Sequence, residues 1–156
     1  AKHFPSVEFL FLGQAYHGDH EVVWHPRDLP SNVRLMGHVD GEEKTRILSS
    51  AWALINTSIH EGLAVSFLEA LTCETPLLSC IDTEEVASRF GIYVGSFTGT
   101  GMDSVPAFVK GLRELIDAPD RRRRLGKDGR DWVAKTHNRE RFLDAFHDLC
   151  VSARAL

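Results

Sequence analysis

Residues 52–79 read WALINTSIHEGLAVSFLEALTCETPLLS. The stretch opens on a short apolar run over residues 52–56, and a second run follows at residues 75–79, where proline is tolerated because it stands near the start. Between the two runs, apolar side chains recur at helical spacing from Ala64 to Cys73. The stretch therefore predicts a strand, a polar loop, a helix and a further strand.

The same alternation of strands and helices continues on both sides of this stretch. Apolar runs that end at glycines predict strands over residues 7–13, 33–37 and 91–95. Helical spacing predicts a helix that opens at Asp40 and four others, over residues 84–90, 104–117, 119–136 and 139–153. Continuously apolar strands are typical of a parallel sheet that is buried on both faces. We therefore expect a single α/β domain over residues 1–156, with a Rossmann-like open parallel sheet and helices on both faces.

Composition and charge describe an ordinary soluble domain. The 156 residues are 43% hydrophobic and 26% charged, and the formal net charge is −4. An acidic balance gives no attraction to nucleic acid or to an anionic membrane, and no apolar run is long enough to span a bilayer. The start of the chain has no signal-peptide pattern. We therefore expect a cytoplasmic protein with no nucleic-acid partner and no evident membrane contact.

Neither the cysteines nor the histidines predict a metal site. Cys73, Cys80 and Cys150 are odd in number and widely spaced, so we interpret them as buried or half-buried small apolar residues in a reducing compartment. Residues 14–31 are polar and predict a loop or a short helix, and we interpret their histidines as loop residues: His17, His20 and His25.

Ligands of open parallel sheets bind beyond the carboxyl ends of the strands. In this sequence those ends are the loops near Gly13 and Gly37, residues 57–62, residues 80–84 and the loop at Gly95. We therefore expect the functional residues to lie in these loops.

The loop at residues 57–62 and the helix after it carry two carboxylates. Glu61 lies before the helix and Glu69 lies one to two turns inside it, so a rise of about 1.5 Å per residue separates them by roughly 10 Å. That distance is too long for a shared proton or one metal ion, and it suits the two ends of an extended ligand. Gly62 and Leu63 lead into the helix, whose first amide groups have no partner within the helix and can bind a diphosphate.

This segment resembles the retaining GT-B glycosyltransferases of family 4, the glycosyl transferases group 1. Their C-terminal domain carries a Glu-x7-Glu motif that runs into Glu-Ala-x-x-x-Gly-x-Pro, and the residues that match in type and spacing are Ser58, Glu61, Gly62, Glu69, Ala70 and Pro76. The strands and the terminal helices also follow the family's order over nearly the whole chain. The resemblance implies one half of a GT-B fold, from a longer chain that has a further N-terminal domain.

The resemblance also implies a role for each residue of the motif. Glu61 is the catalytic residue and contacts hydroxyls of the donor sugar, and Glu69 binds the ribose. The other residues that contact the donor sugar and its diphosphate are Ser58, His60, Gly62, Leu63 and Ala64. The residues that contact the base are Gly37, His38 and Val39. The implied reaction transfers a hexose from a UDP-sugar or GDP-sugar to an acceptor with retention, in polysaccharide or glycolipid synthesis. It involves no metal ion and no other cofactor.

Two departures from the family pattern favour a different interpretation. Glu74 stands where the family has glycine, and the loop after Ser79 places Asp82 and Glu84 near the diphosphate, where the family has paired glycines. Negative side chains there repel a diphosphate and favour a degenerate domain that acts as a non-catalytic binding or assembly module. A GT-B epimerase acting on the same kind of ligand is a third interpretation. In the leading interpretation the N-terminal domain binds the acceptor, so we expect weak or no transfer by this chain alone.

Two further patterns receive structural interpretations. The run Arg121–Arg124 turns to different sides of a helix and predicts a solvated face. Phe142, Phe146 and Leu149 recur at helical spacing and predict packing in the core or against the N-terminal domain.

Overall fold

The computed structural model describes residues 1–13, 29–98 and 101–154 of the chain. The chain divides into two compact units, residues 1–45 and residues 46–156. The loop or short helix that we predict for residues 14–31 lies, apart from residues 29–31, outside the described residues, and so do its three histidines. That the chain forms one domain stays a prediction.

The first unit contains two parallel strands. Strand β1 is Phe9–Leu12 and strand β2 is Val33–Gly37, with Phe9 opposite Val33. The side-chain amide of Asn32, just before β2, is hydrogen-bonded to the start of the chain. Its Nδ2 donates to the carbonyls of Ala1, Phe4 and Val7 at 3.3, 2.9 and 2.7 Å. Helix α1, Gly41–Ser50, begins in this unit and continues into the second.

The side chains of β1 and β2 correct one expectation. Phe11 is 56% exposed and Leu35 is 44% exposed, so these strands are not buried on both faces. A two-stranded ribbon has few neighbouring side chains within the described part of its unit, and it leaves apolar residues uncovered for that reason.

The second unit contains a three-stranded parallel sheet. Its strands are β3, Leu54–Asn56, β4, Leu77–Ser79, and β5, Gly91–Tyr93, in the order β3-β4-β5. The remaining helices are α2, Val65–Thr72, α3, Val86–Phe90, α4, Val105–Asp117, α5, Pro119–Thr136, and α6, Arg139–Arg154. Short 3-10 turns at Thr83–Glu85 and Met102–Ser104 precede α3 and α4. Each helix and strand that the sequence predicts is present, with its ends shifted by only a few residues.

Helices cover both faces of this sheet at β4. Leu77 belongs to a buried cluster with Phe67 and Leu71 of α2 and Phe90 of α3. On the opposite face Leu78 meets α4, where a Cβ at Gly111 would come within 2.6 Å of the Leu78 Cδ1. Successive strand residues point to opposite faces, so both faces carry helices. The prediction of a Rossmann-like α/β fold with a parallel sheet is confirmed.

Helix α5 packs against the end of α2 through a glycine. The Gly126 Cα lies so close to the turn after α2 that a Cβ there would come within 1.9 Å of the Glu74 carbonyl oxygen. Glu74 adopts a φ of 60°, and the Glu74 and Thr75 amides donate to the carbonyls of Leu71 and Ala70 at 2.9 Å each. This is the Schellman arrangement, which usually has glycine at the left-handed position.

The arginine run and the apolar stripe have different outcomes. Arg121 and Arg123 are exposed and pair with Glu114 and Asp120, and Arg124 is exposed as well, which confirms a solvated face for these three. Arg122 is half-buried instead, because its guanidinium lies 4.8 Å from the ring centroid of Trp52. The prediction of core packing is wrong for the apolar stripe on α6, because its members are 67%, 55% and 65% exposed: Phe142, Phe146 and Leu149. Their packing against an N-terminal domain stays a prediction.

The three cysteines differ in their burial. Cys80 is buried and Cys73 is half-buried as expected, whereas the expectation is wrong for Cys150, which is exposed on α6. Among the helices that the structure describes, none combines the length and the apolar character that crossing a membrane requires.

Candidate functional site

A cavity of about 700 Å³ that is broadly open to solvent lies at the carboxyl ends of the three strands of the second unit. It is lined by residues 59–61 from the loop after β3, residues 80–83 from the loop after β4, and Tyr93 and Ser96 at the end of β5. Parallel strands place their carboxyl ends along one edge of the sheet, which brings these three loops together.

Glu61 is supported by the residue that ends β3. The Ser58 amide donates to the Asn56 Oδ1 at 2.9 Å, which closes a tight turn at the start of the loop. The Nδ2 of the same Asn56 donates to the Glu61 Oε2 at 3.4 Å. Glu61 and its neighbour His60 both remain exposed and line the cavity. The turn therefore holds the Glu61 carboxylate at the cavity without burying it.

Cys80 ties the loop after β4 to the loop after β3. Its Sγ donates to the Ser58 carbonyl at 3.2 Å, and the neighbouring Ile81 amide donates to the buried Ser79 Oγ at 2.9 Å. Burial raises the pKa of the Cys80 thiol above its ordinary value, so the sulfur stays protonated at neutral pH. Cys80 therefore links the two loops as a protonated thiol.

The next residues of the same loop carry an aspartate and two glutamates. The Asp82 Oδ1 accepts a hydrogen bond from the Ser88 amide at 2.9 Å, which fixes this carboxylate at the lining of the cavity. Glu84 and Glu85 follow with φ values of 55° and 59°. Two successive side chains in the left-handed region cost on the order of 1–2 kcal/mol each.

Sequence reasoning did not assign Tyr93, Ser96 or Thr83 to the site. All three line the cavity, and the hydroxyl oxygens of Tyr93 and Ser96 lie 2.8 Å apart. A signal was available, because Tyr93 ends β5 and the loop near Gly95 is one of the expected strand ends. The type of these residues carried no signal, since a tyrosine and a serine in a loop match no motif.

The start of α2 lies outside the lining of the cavity. Gly62, Leu63 and Ala64 lead into this helix, and Ala64 at the N-cap is extended, with φ −65° and ψ 128°. A Cβ at Gly62 would meet no atom within 4 Å, so packing of the described chain does not require glycine there. Glu69 lies one turn after the exposed Val65 and is half-buried.

The residues that the resemblance assigns to the base belong to the first unit. Gly37 ends β2 with a φ of 69°, and Val39 follows His38 in the loop before α1. The His38 Nε2 lies 3.4 Å from the Asp40 Oδ2, and both side chains are exposed. The structure thus places the three residues at the carboxyl end of a strand within their own unit.

The described residues hold no group of three or more histidine, cysteine, aspartate or glutamate side chains with the geometry of a metal site.

Parallel strands with helices on both faces and a cavity at the strand ends define a Rossmann-like α/β fold. Residues 2–132 match the family described as glycosyl transferases group 1, and the chain belongs to that family. It is also similar to glycosyltransferase 1 domain-containing protein 1 from Xenopus tropicalis, with 23% identity over 120 residues. The match covers 77% of this chain and 34% of that relative, so the chain spans about a third of the relative's length. The predicted membership of the glycosyl transferases group 1 is confirmed.

Proposed function

We propose that this chain is the donor-binding half of a retaining glycosyltransferase of family 4. It binds a nucleotide diphosphate sugar and presents the hexose to an acceptor held by an N-terminal domain. The observation that carries the proposal is the cavity at the strand ends, where Asn56 holds the Glu61 carboxylate toward the ligand space. Carboxylate oxygens accept hydrogen bonds from sugar hydroxyls, and membership of the family supplies the reaction type.

The diphosphate binds, in this proposal, at the start of α2. The first amides of a helix lack partners within the helix and stand at the positive end of its dipole. Gly62 supports this arrangement, because open space surrounds the position where its Cβ would stand and a ligand can approach the backbone there. Preorganised amides stabilise the charge that develops on the leaving diphosphate.

The ribose hydroxyls bind to Glu69, and the base lies against Gly37, His38 and Val39. These assignments follow the family motif and the position of the residues on α2 and after β2. The relative's greater length is consistent with a second domain beside the part that this chain matches. A cytoplasmic location and a role in polysaccharide or glycolipid synthesis stay predictions.

Titration of the chain with UDP and with GDP by isothermal calorimetry tests the proposal. We expect one of them to bind, and Glu69→Ala to weaken that binding by about 10- to 100-fold, because hydrogen bonds to a charged group contribute about 1.5–3 kcal/mol. Glu140→Ala removes an exposed glutamate on α6 and should change nothing. Circular dichroism establishes that both variants are folded.

Two results would contradict the proposal. The first is a lack of binding of either nucleotide up to several millimolar, which would favour the degenerate binding module instead. The acidic loop at Asp82, which lines the cavity, is the feature that supports this second candidate. The other result is equal binding by the parent chain and Glu69→Ala, which would remove Glu69 from the ribose site.

A further inference from the structure

The cavity combines carboxylates with hydroxyl groups. Glu61 and Asp82 supply two negative charges, and Thr83, Tyr93 and Ser96 supply hydroxyl groups. Among the described residues that line the cavity there is no lysine and no arginine. A ligand inside it therefore meets many hydrogen-bonding partners and no permanent positive charge.

Asp82 is held in place by the backbone. Its Oδ1 accepts from the Ser88 amide at 2.9 Å, at the first turn of α3. The residue is half-buried and its carboxylate is hydrogen-bonded to the backbone, so it moves away from an approaching ligand less freely than a carboxylate without a partner. A repulsive ligand must therefore bind in the presence of its charge.

The hydroxyl groups of Tyr93 and Ser96 lie at the end of β5 and in the loop after it. Tyr93 and Ser96 share a hydrogen bond of 2.8 Å, and a hydroxyl group both donates and accepts. Together with the Glu61 carboxylate, such groups match the alternating donors and acceptors of a neutral sugar ring. A carboxylate on the sugar offers only acceptors, so it cannot satisfy the acceptor oxygens of Glu61 and Asp82.

We propose that this cavity selects a neutral or amino sugar over a uronic acid, and that Asp82 is the residue that rejects the sugar carboxylate. This specificity rests on the proposed function, in which the cavity receives the sugar of the donor. Two unit charges about 6 Å apart repel each other enough to weaken binding by about 3-fold in a water-like medium and about 100-fold near a protein surface. Dissolved salt screens this repulsion.

Two pairs of nucleotide sugars test the specificity, because the members of each pair differ only at the sugar C6. UDP-glucose is compared with UDP-glucuronic acid, and GDP-mannose with GDP-mannuronic acid, by calorimetry with the full chain at pH 8. For the nucleotide that binds, we expect the neutral sugar to bind at least about 3-fold more tightly at low ionic strength. The ratio should decrease in about 0.5 M NaCl, where the Debye length is only a few ångströms.

Asp82→Asn isolates the charge of this residue. The asparagine keeps an Oδ1 that accepts from the Ser88 amide, so the loop retains its hydrogen bond. We expect the variant to bring the ratio within a pair toward one, mainly by improving binding of the uronic acid. Asp128→Asn makes the same charge change on an exposed residue of α5, outside the lining of the cavity, and should leave the ratio unchanged.

The outcomes separate this inference from the proposed function. Equal binding of the two members of a pair, tighter binding of the uronic acid, or a ratio that Asp82→Asn does not change would overturn the specificity while leaving donor binding intact. Failure of UDP, GDP and all four nucleotide sugars to bind would overturn the proposed function and the specificity with it.

Discussion

Two turns of the second unit hold glutamates in the left-handed region, and their surroundings differ. Glu74 closes α2, its carboxylate lies 2.7 Å from the Arg130 guanidinium, and α5 packs on its carbonyl through Gly126. Glu84 and Glu85 are exposed in the loop whose preceding residues line the cavity. The first turn is determined by packing on several sides, whereas the second keeps its strain beside a candidate ligand site. Strain of this second kind is often found at functional sites.

Gly126→Ala should have the largest effect, because it breaks the packing that determines the first turn. The added Cβ would stand 1.9 Å from the backbone oxygen of Glu74, and backbone cannot rotate away as a side chain does. We expect a loss of about 3 kcal/mol in the free energy of unfolding, measured by urea denaturation. Gly62→Ala is the control, since its Cβ would meet open space, and it should change stability by less than about 0.5 kcal/mol. Similar losses in the two variants would contradict the packing of α5 on this turn.

The double variant Glu84→Gly/Glu85→Gly should stabilise the protein by about 1–2 kcal/mol. Glycine removes the left-handed strain at both positions, and its larger entropy in the unfolded state offsets part of that gain. Thermal unfolding followed by circular dichroism measures the change.

Glu74→Gly is the matched comparison for the double variant. It relieves the same kind of strain but loses the ion pair with Arg130, which is partly exposed and contributes about 0–1 kcal/mol. We expect a net change within about 0.5 kcal/mol. If the double variant were destabilised while Glu74→Gly gained stability, the contrast between the two turns would be wrong.

The smallest effect concerns the pH dependence that Cys80 adds. Burial raises the pKa of this thiol above its ordinary value of 9.0, so the unfolded chain loses the proton at a lower pH than the folded one. The Cys80 thiol therefore makes its whole contribution to the free energy of unfolding below about pH 9, and this contribution decreases as the pH rises through the pKa of the thiol in the folded chain. Cys80→Ser keeps a donor for the Ser58 carbonyl and should flatten the decline in stability between pH 8 and pH 11.

Cys150→Ser provides the control for removal of a buried thiol. Its thiol is exposed on α6, and the variant should have the stability of the parent at neutral pH. Reaction with a thiol-specific dye should follow the same contrast, with Cys150 reacting first and Cys80 last. Rapid labelling of Cys80 in the folded protein would contradict its burial.

The order of helices and strands could be predicted because its signals are local. Glycines end the runs at Gly13 and Gly37, and proline begins α5 at its first position, where the missing amide hydrogen costs nothing. The spacing of Phe67 and Leu71 likewise predicted the buried face of α2. The same spacing failed on α6, because periodicity shows which side chains share a face and does not show what covers that face.

Periodicity by itself determined an α/β fold and the loops in which to seek a site, and the Glu-x7-Glu motif carried the resemblance to the glycosyl transferases group 1. Only the tertiary structure decided that Tyr93 and Ser96 join Glu61 and Asp82 around one cavity, and that two glutamate turns are strained in different surroundings. The physical reason is that element type depends on neighbours within a few residues, whereas a cavity depends on side chains that meet from strands far apart in the chain.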